Sequence, residues 1–228
     1  MKIAIAIVLM IISYFIGNIS PATLLARAAG KDIKKEGSGN AGATNVLRVL
    51  GAKAAVVTLI IDVAKGFIAT KIAFLVSQAL ANKMFDPIFT DANSYAMTVS
   101  AWCGLAVFIG HIWPLLFKFK GGKGVATALG VLLATEWKLA LICLAIFALE
   151  VIVTRIVSLG SIVAALCFIV LYSGSIISES SLYIGIPRIV PFVILVATLV
   201  FKHRENIGRI IRGEENKISF GKKISNTK

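Results

Sequence analysis

The chain has 228 residues, of which 58% are apolar and 15% charged, and its formal net charge is +13. Soluble domains contain only about 45–50% apolar residues, so this composition excludes a soluble domain, and it equally excludes a disordered chain. The basic residues lie in short loops between apolar segments, which disfavours nucleic-acid binding and fits contact with anionic membrane lipid.

Seven apolar segments follow one another along the chain. Because about 20 apolar residues cross the hydrocarbon core of a bilayer, they predict an all-α polytopic membrane protein with seven transmembrane helices. In chain order they are Ile3–Leu25, Ala54–Leu80, Tyr95–Phe117, Val125–Thr135, Trp137–Val153, Val157–Ile177 and Ile186–Phe201. The fourth is short and could begin within the loop before it. No internal repeat or separate soluble domain is visible, so we expect residues 1–228 to form one integral membrane domain.

The distribution of basic residues orients these helices. With seven spans, the loops on one side hold eighteen lysines and arginines and those on the other side hold four. Short cytoplasmic loops carry the excess of positive charge. We therefore expect the amino terminus outside and the carboxyl terminus in the cytoplasm.

The first polar loop contains the glycine pattern Gly37-Ser38-Gly39-Asn40-Ala41-Gly42. A charged segment precedes it where a dinucleotide-binding fingerprint would need a strand, so dinucleotide binding is disfavoured. A helix starting near Ala43 would place Thr44 and Arg48 on one face. The polar residues Asn40, Thr44, Asn45 and Arg48 favour a polar-ligand site, and a flexible linker is the alternative.

A second loop reads Gly121-Gly122-Lys123-Gly124 and lies directly before the fourth apolar segment. It lacks the phosphate-loop spacing, and Gly124 stands where a magnesium-binding hydroxyl would be, so ATP binding is disfavoured. The backbone N–H groups at the start of a helix, with Lys123 and Thr127 nearby, predict an anion site. The alternative is an ordinary basic turn on the cytoplasmic side.

The two histidines occupy different contexts. His111 lies near the cytoplasmic end of the third segment and is a site candidate, although a lone helical histidine is more often a packing residue. His203 follows the last segment and shares a helical face with Asn206 at i, i+3. A basic membrane anchor is the alternative for this segment.

Two further groups of polar residues remain. Asp62 and Lys65 are close enough in the second segment to pair, and a functional charge and a structural ion pair are both open. Arg155 and Ser158 add a cation and a hydroxyl on the cytoplasmic side. The three cysteines stand alone in apolar runs, which disfavours a metal site or a disulfide.

Five motifs in order resemble those of the bacterial acyl-phosphate:glycerol-3-phosphate acyltransferases. They are Gly37–Arg48, Asp62–Gly66, Gly110–Thr127, Thr154–Ser161 and His203–Lys217, and the resemblance covers nearly the whole chain. One departure is Ala41, where the family usually has proline, and the outer loop Ala81–Asn93 is long for the family.

The resemblance implies a seven-helix enzyme of the bacterial cytoplasmic (inner) membrane with its active site on the cytoplasmic face. It would transfer a fatty acyl group from acyl phosphate to the 1-hydroxyl of glycerol 3-phosphate, giving lysophosphatidic acid and phosphate. Acyl phosphate is already activated, so we expect no cofactor and no metal. A transporter for a phosphorylated solute is the rival, but the motifs gather on one face and not at the bilayer midplane.

The resemblance also implies roles for individual residues. Gly121, Gly122, Lys123 and Gly124 would hold the acyl-phosphate head group, Ser38, Arg48 and Lys120 would bind phosphate groups, and Arg155 and Ser158 would help hold glycerol 3-phosphate. His203 and Asn206 would orient the attacking hydroxyl, and Glu205 would brace the site. Whether His203 or a substrate phosphate takes the hydroxyl proton stays open.

Overall fold

The computed structural model describes residues 2–81, 92–179 and 182–218, and every regular element within these ranges is helical. The α-helices are α1 (Lys2–Gly17), α2 (Pro21–Ala28), α3 (Ala43–Leu50), α4 (Ala52–Ala81), α5 (Ala92–Ile112), α6 (Val125–Thr135), α7 (Trp137–Thr154), α8 (Val157–Glu179), α9 (Leu182–Lys202) and α10 (Arg204–Ile211). The all-α prediction is therefore confirmed for these ranges. The predicted long outer loop lies almost entirely outside the described residues.

The first apolar segment is not one helix. We predicted an unbroken span from Ile3 to Leu25, but the chain breaks between α1 and α2. Pro21 opens α2 and has no N–H to continue the helix before it. Asn18 fills the break, because its side chain donates to the Tyr14 carbonyl at 2.7 Å and accepts from the Leu116 N–H at 3.2 Å. Asn18 thus connects the end of α1 to the loop after α5.

Five segments of the described chain are long and apolar enough to cross a membrane: Lys2–Ala28, Ala92–Phe117, Trp137–Thr154, Val157–Ile176 and Gly185–Lys202. Two predicted spans are not among them. Helix α4 has 30 residues but carries Asp62, Lys65 and Lys71 within it. Helix α6 coincides with the predicted segment Val125–Thr135 but has only 11 residues.

Helix α5 forms the centre of the bundle. Its membrane-length window is 67% buried, compared with 17% for α7. It packs against α1, α4, α6 and α9. The apolar side chains that α7 leaves exposed suit a position against lipid, because the hydrophobic surface of such a helix needs no protein partner in a bilayer.

Glycines let the central helices approach closely. A Cβ added to Gly110 of α5 would lie 2.1 Å from the Tyr14 carbonyl oxygen of α1. A Cβ added to Gly66 of α4 would lie 2.2 Å from the Thr127 carbonyl oxygen of α6. Small residues of this kind bring helix backbones together in membranes, where packing replaces the hydrophobic effect. The close contact of α4, α5 and α6 also brings their polar residues to one place.

Candidate active site

The two glycine-rich loops touch each other. The Lys34 ammonium donates to the Gly121 carbonyl at 3.1 Å. A Cβ added to Gly122 would lie 2.4 Å from His111 Nε2 and 2.7 Å from the Ala41 carbonyl oxygen. The loop before α3 and the loop before α6 therefore meet beside the end of α5, as expected of two loops predicted to lie on the same side of the membrane.

The loop before α6 folds back onto α5. The N–H groups of Gly121 and Gly122 donate to the Ile112 and His111 carbonyls at 3.1 and 3.3 Å, because the last carbonyls of a helix lack partners within it. These two N–H groups are therefore not free for a ligand, and the predicted nest is smaller than expected. Gly124 has φ +84° and a Cβ there would lie 2.3 Å from the Phe108 ring, so no other residue fits.

The start of α6 remains a suitable anion site. Among the described residues, no side chain accepts a hydrogen bond from the N-terminal N–H groups of this helix. Uncapped N–H groups and the positive end of the helix dipole favour a negative ligand. Lys123 is the residue just before the Gly124 cap, so it brings a cationic side chain to this end of the helix.

A hydrogen-bonded network joins Lys123 to the segment after α9. Lys123 Nζ donates to Asn206 Oδ1, and Asn206 Nδ2 donates to Glu215 Oε1 at 2.6 Å. Arg209 Nε donates to Glu215 Oε2 at 2.7 Å, and the Ser158 hydroxyl donates to Oε1 at 2.9 Å. The Glu215 carboxylate thus fixes Asn206, and Asn206 in turn holds the Lys123 ammonium.

The electrostatics of this network keep its acid ionised. Burial alone would raise the pKa of Glu215, but hydrogen bonds from Asn206, Arg209 and Ser158 outweigh it and hold that pKa below its ordinary value. Burial, followed by neighbouring cations such as Arg209 and Lys202, lowers the pKa of Lys123 to about 8 even though Glu215 opposes the shift. Lys123 is therefore protonated at neutral pH but easily loses its charge in alkaline solution.

Lys34 is a second basic residue of the site that the sequence did not single out. Burial and the nearby Lys202 and Lys120 charges lower its pKa to about 8, with Asp32 partly opposing them. Mutually repelling cations are stabilised by a bound anion. In the sequence, Lys34 is one of several lysines in the charged segment before the first glycine pattern, and nothing distinguishes it from the others.

His203 lies directly before α10 and is 2% exposed. Its Nδ1 donates to the Leu199 carbonyl at 2.8 Å, since a carbonyl can only accept. In the neutral ring this leaves Nε2 as an acceptor. Burial is the main reason that the pKa of His203 falls to about 4, and the Lys123 charge adds to it. His203 is therefore neutral at physiological pH. Asn206 is buried as well, in the first turn of α10.

The first loop is shaped by Asn45. Helix α3 begins at Ala43 as predicted, and Asn45 is 1% exposed. Its Oδ1 accepts from the Ser38 N–H at 2.8 Å, and its Nδ2 donates to the Ile33 and Glu36 carbonyls at 3.3 and 3.0 Å. These bonds occupy the amide, so Asn45 holds the loop in shape.

The remaining predicted residues fall into two groups. Asn40 in the first loop and Thr44 in the first turn of α3 are half-buried. Thr127 in α6 is fully buried, and its hydroxyl has no hydrogen-bond partner among the described residues. Five predicted residues are exposed: Ser38, Arg48, Lys120, Arg155 and Glu205. The Arg155 carbonyl accepts from the Ile218 N–H at 2.8 Å and so anchors the segment that carries Glu215.

Comparison with known proteins places this architecture in a family. The family model for glycerol-3-phosphate acyltransferase matches residues 7–213. A glycerol-3-phosphate acyltransferase of Geotalea daltonii is 42% identical over 92% of this chain and 96% of its own length. One from Finegoldia magna is 39% identical over 93% of this chain and 96% of its own length.

Solved structures agree with these sequence relatives. Two crystal structures of PlsY (YgiH), an integral membrane glycerol 3-phosphate acyltransferase, match the fold at 33% sequence identity. The glycerol 3-phosphate form has a TM-score of 0.78 and covers 94% of this chain and 96% of that chain. The lysophosphatidic acid form has a TM-score of 0.76 and covers 94% and 95%. The chain is thus a multi-pass membrane protein, and it belongs to the glycerol-3-phosphate acyltransferase family.

Proposed function

We propose that this acyltransferase moves a fatty acyl group from acyl phosphate to the 1-hydroxyl of glycerol 3-phosphate, giving lysophosphatidic acid and inorganic phosphate. The observation that carries the proposal is the Lys123–Asn206–Glu215 network beside the buried, neutral His203. Cations, uncapped helix N–H groups and a neutral acceptor suit a reaction between two phosphate-bearing molecules.

The reaction needs no covalent enzyme intermediate. The 1-hydroxyl oxygen forms a bond to the acyl carbon, the bond from that carbon to the phosphate oxygen breaks, and the hydroxyl proton leaves with the phosphate. The protein holds two anions together against their repulsion and stabilises the charge on the tetrahedral centre. In this proposal Lys123 and the start of α6 bind the anionic acyl-phosphate head group and stabilise the charge on the tetrahedral centre. Gly121, Gly122 and Gly124 give the loop its shape.

His203 orients the attacking hydroxyl in this mechanism. With Nδ1 donating to Leu199, Nε2 accepts the hydroxyl hydrogen bond, and Asn206 holds Lys123 beside it. A general base works best when its pKa lies near the operating pH, and a pKa of about 4 makes His203 a weak base. We therefore assign the proton to the departing phosphate, which is the stronger base once the acyl bond breaks.

The other site residues surround these groups. Phosphate oxygens are bound by the exposed residues Ser38, Arg48 and Lys120. Glycerol 3-phosphate is held with the help of Arg155 and Ser158. His111 lies beside Gly122, where the two loops meet, and Thr127 lies in the first turn of α6. Asn40 and Thr44 give further polar groups for the substrate. Glu215, and not Glu205, supplies the bracing carboxylate, because Glu215 makes the hydrogen bonds to Asn206, Arg209 and Ser158.

We also propose the topology that the charge distribution predicts. Residues 1–228 form one domain in the bacterial cytoplasmic membrane, and α4 and α6 complete seven spans. The amino terminus is outside, and the site loops face the cytoplasm. The length of α4, 30 residues, is ample for a crossing, and its charged residues Asp62 and Lys65 are buried against its neighbours and not exposed to lipid.

A donor comparison tests the proposed reaction. Purified protein in lipid vesicles is given glycerol 3-phosphate with either palmitoyl phosphate or palmitoyl-CoA, and both phosphate and lysophosphatidic acid are measured. We expect product from the acyl phosphate alone. Lys123→Ala should abolish it, and the exposed Lys138→Ala, at the other end of the bundle, should not. Product formed equally well from palmitoyl-CoA would contradict the proposed donor.

A further inference from the structure

A buried polar cluster lies beneath the meeting point of the two loops. It consists of Asp62 and Lys65 in α4 and His111 in α5, which are 1%, 4% and 6% exposed. Lys65 Nζ lies 2.7 Å from Asp62 Oδ1, 2.7 Å from the Ile19 carbonyl oxygen and 2.7 Å from His111 Nδ1. A lysine ammonium can only donate, so the Ile19 carbonyl oxygen and His111 Nδ1 accept hydrogen bonds from it. The contact with Asp62 Oδ1 is an ion pair, since that oxygen accepts no hydrogen bond among the described residues.

This geometry decides where the proton of His111 is. If Lys65 donates to Nδ1, the Nδ1 lone pair is occupied and the neutral ring carries its proton on Nε2. The competing arrangement, in which Nδ1–H donates to Asp62, has a distance of 3.3 Å and would turn an N–H toward the Lys65 ammonium. The shorter contact therefore selects the Nε2–H form, and Asp62 balances the Lys65 charge.

The Nε2 edge of the ring faces the site. It lies next to Gly122 and the Ala41 carbonyl, so that a Cβ on Gly122 would be 2.4 Å from Nε2. No hydrogen bond to Nε2 occurs among the described residues, since the polar contacts of His111 are made through Nδ1 and its backbone. A nearly buried N–H donor therefore points to the junction of the two loops.

We propose that Asp62 and Lys65 are positioning residues that hold His111 as the Nε2–H tautomer, so that Nε2 donates a hydrogen bond to a phosphate oxygen of the substrate above the Gly121–Gly124 loop. This inference rests on the proposed function for the identity of the ligand, but the tautomer itself does not. The ion pair of α4 thereby prepares an uncharged donor for the site without adding a charge to it.

Nitrogen NMR of the two histidines tests the tautomer directly. The chain has only His111 and His203, so labelling histidine with ¹⁵N gives four ring signals, and His203→Gln assigns them. The hydrogen bonds predict opposite tautomers: Nε2–H for His111 and Nδ1–H for His203. A protonated Nδ1 on His111 would overturn the proposal, whether or not the protein transfers acyl groups.

Binding of inorganic phosphate, the product of the proposed reaction, tests the donor. Phosphate should shift the His111 Nε2–H signal, and the shift should saturate. If saturating phosphate moves the His203 signals but leaves Nε2–H of His111 unchanged, His111 does not donate to the ligand and the proposal fails. If no histidine signal responds and acyl transfer is absent as well, the proposed function is wrong, but the assignment of the His111 tautomer still stands.

Two double variants separate positioning from mere packing. Asp62→Asn/Lys65→Met and Asp62→Leu/Lys65→Met both remove a balanced pair, so neither leaves a buried unpaired charge. An asparagine amide can still donate to His111 Nδ1, and a leucine cannot. We expect the Asn variant to keep the Nε2–H signal and the KM for acyl phosphate, and the Leu variant to lose both, with a rise in KM of about tenfold to a hundredfold. Equal KM values in two folded variants would contradict the role.

Discussion

The charge of Lys123 should be visible in the pH dependence of the reaction. Its pKa is about 8, and the proposed mechanism needs the protonated form. Raising the pH through this value removes the cation, so kcat/KM, which reports the free enzyme, should fall above about pH 8. Both phosphate substrates are fully ionised there, because a phosphate monoester has a second pKa of about 6, so they do not cause the fall.

Arginine substitution identifies the residue responsible. Arginine stays protonated, so Lys123→Arg should move the alkaline fall to higher pH even if its maximum rate is lower. Lys34→Arg is the comparison, because the pKa of Lys34 is also about 8. A profile that both variants leave unchanged would show that neither lysine controls the reaction.

A pair of glutamate variants distinguishes the two acids of the last motif. Glu215→Gln puts an amide N–H₂ among the donors Asn206, Arg209 and Ser158, which should cost about 1–3 kcal/mol of stability and lower kcat by about tenfold or more. Glu205→Gln changes an exposed residue and should alter both by little. Thermal unfolding and initial rates measure the two effects. A greater loss of stability and of rate in Glu205→Gln than in Glu215→Gln would refute the bracing role of Glu215.

These residues also show what spacing can and cannot predict. His203 and Asn206 were assigned their roles from the family resemblance, and helical periodicity, which places i and i+3 on one face, agreed with it. Glu215 was assigned no role, because it follows the end of α10 and reaches Asn206 only by a turn of the chain at Gly213. Asn45 was predicted to bind a ligand, but residue type does not reveal that its amide is already used by the loop backbone.

At the scale of helices, close packing of α4 against α6 positions the proposed anion site at the start of α6. Gly66→Ala should destabilise the protein by about 1–3 kcal/mol, because its Cβ would lie 2.2 Å from the Thr127 carbonyl oxygen. Gly174→Ala in α8 is the control, since nothing lies within 4 Å of its added Cβ. A thiol-reactive dye can follow thermal unfolding, because Cys103 and Cys143 are buried. Equal midpoints for the two variants would contradict this packing.

Helix ends were predictable where the sequence changes sharply. The segment Val125–Thr135 coincides with α6, because a glycine-rich loop precedes it and Glu136 follows it. The first segment was predicted as one helix because it is apolar on both sides of the break. Hydropathy does not register that Pro21 lacks an N–H or that Asn18 bonds to the loop after α5.

For the whole molecule, the proposed topology can be tested with two engineered cysteines. Lys118 and Lys138 are both exposed, and the proposal puts them on opposite sides of the membrane. In intact spheroplasts an impermeant maleimide should label Lys138→Cys but not Lys118→Cys, and lysis should expose the second. Labelling of Lys118→Cys before lysis would show that the protein has the opposite orientation to the one proposed.

Composition was enough to predict the all-helical class, but it was not enough to predict which segments cross the membrane. Within the described part of the chain, five segments are long and apolar enough to cross a membrane, but α4 carries charges and α6 is short. The sequence could not show that Asp62 and Lys65 are hidden together with His111, because their contact joins α4 to α5 over 46 positions. Burial of the charged residues makes α4 acceptable as a span.

The fate of one oxygen atom tests the central claim most directly. Acyl phosphate is labelled with ¹⁸O in the oxygen that bridges the acyl carbon and the phosphorus, and the products with glycerol 3-phosphate are analysed by mass spectrometry. Attack at the acyl carbon predicts labelled inorganic phosphate and unlabelled lysophosphatidic acid, whose ester oxygen comes from the 1-hydroxyl. Free fatty acid that retains the label, with phosphate transferred to glycerol 3-phosphate, would show attack at phosphorus and contradict acyl transfer.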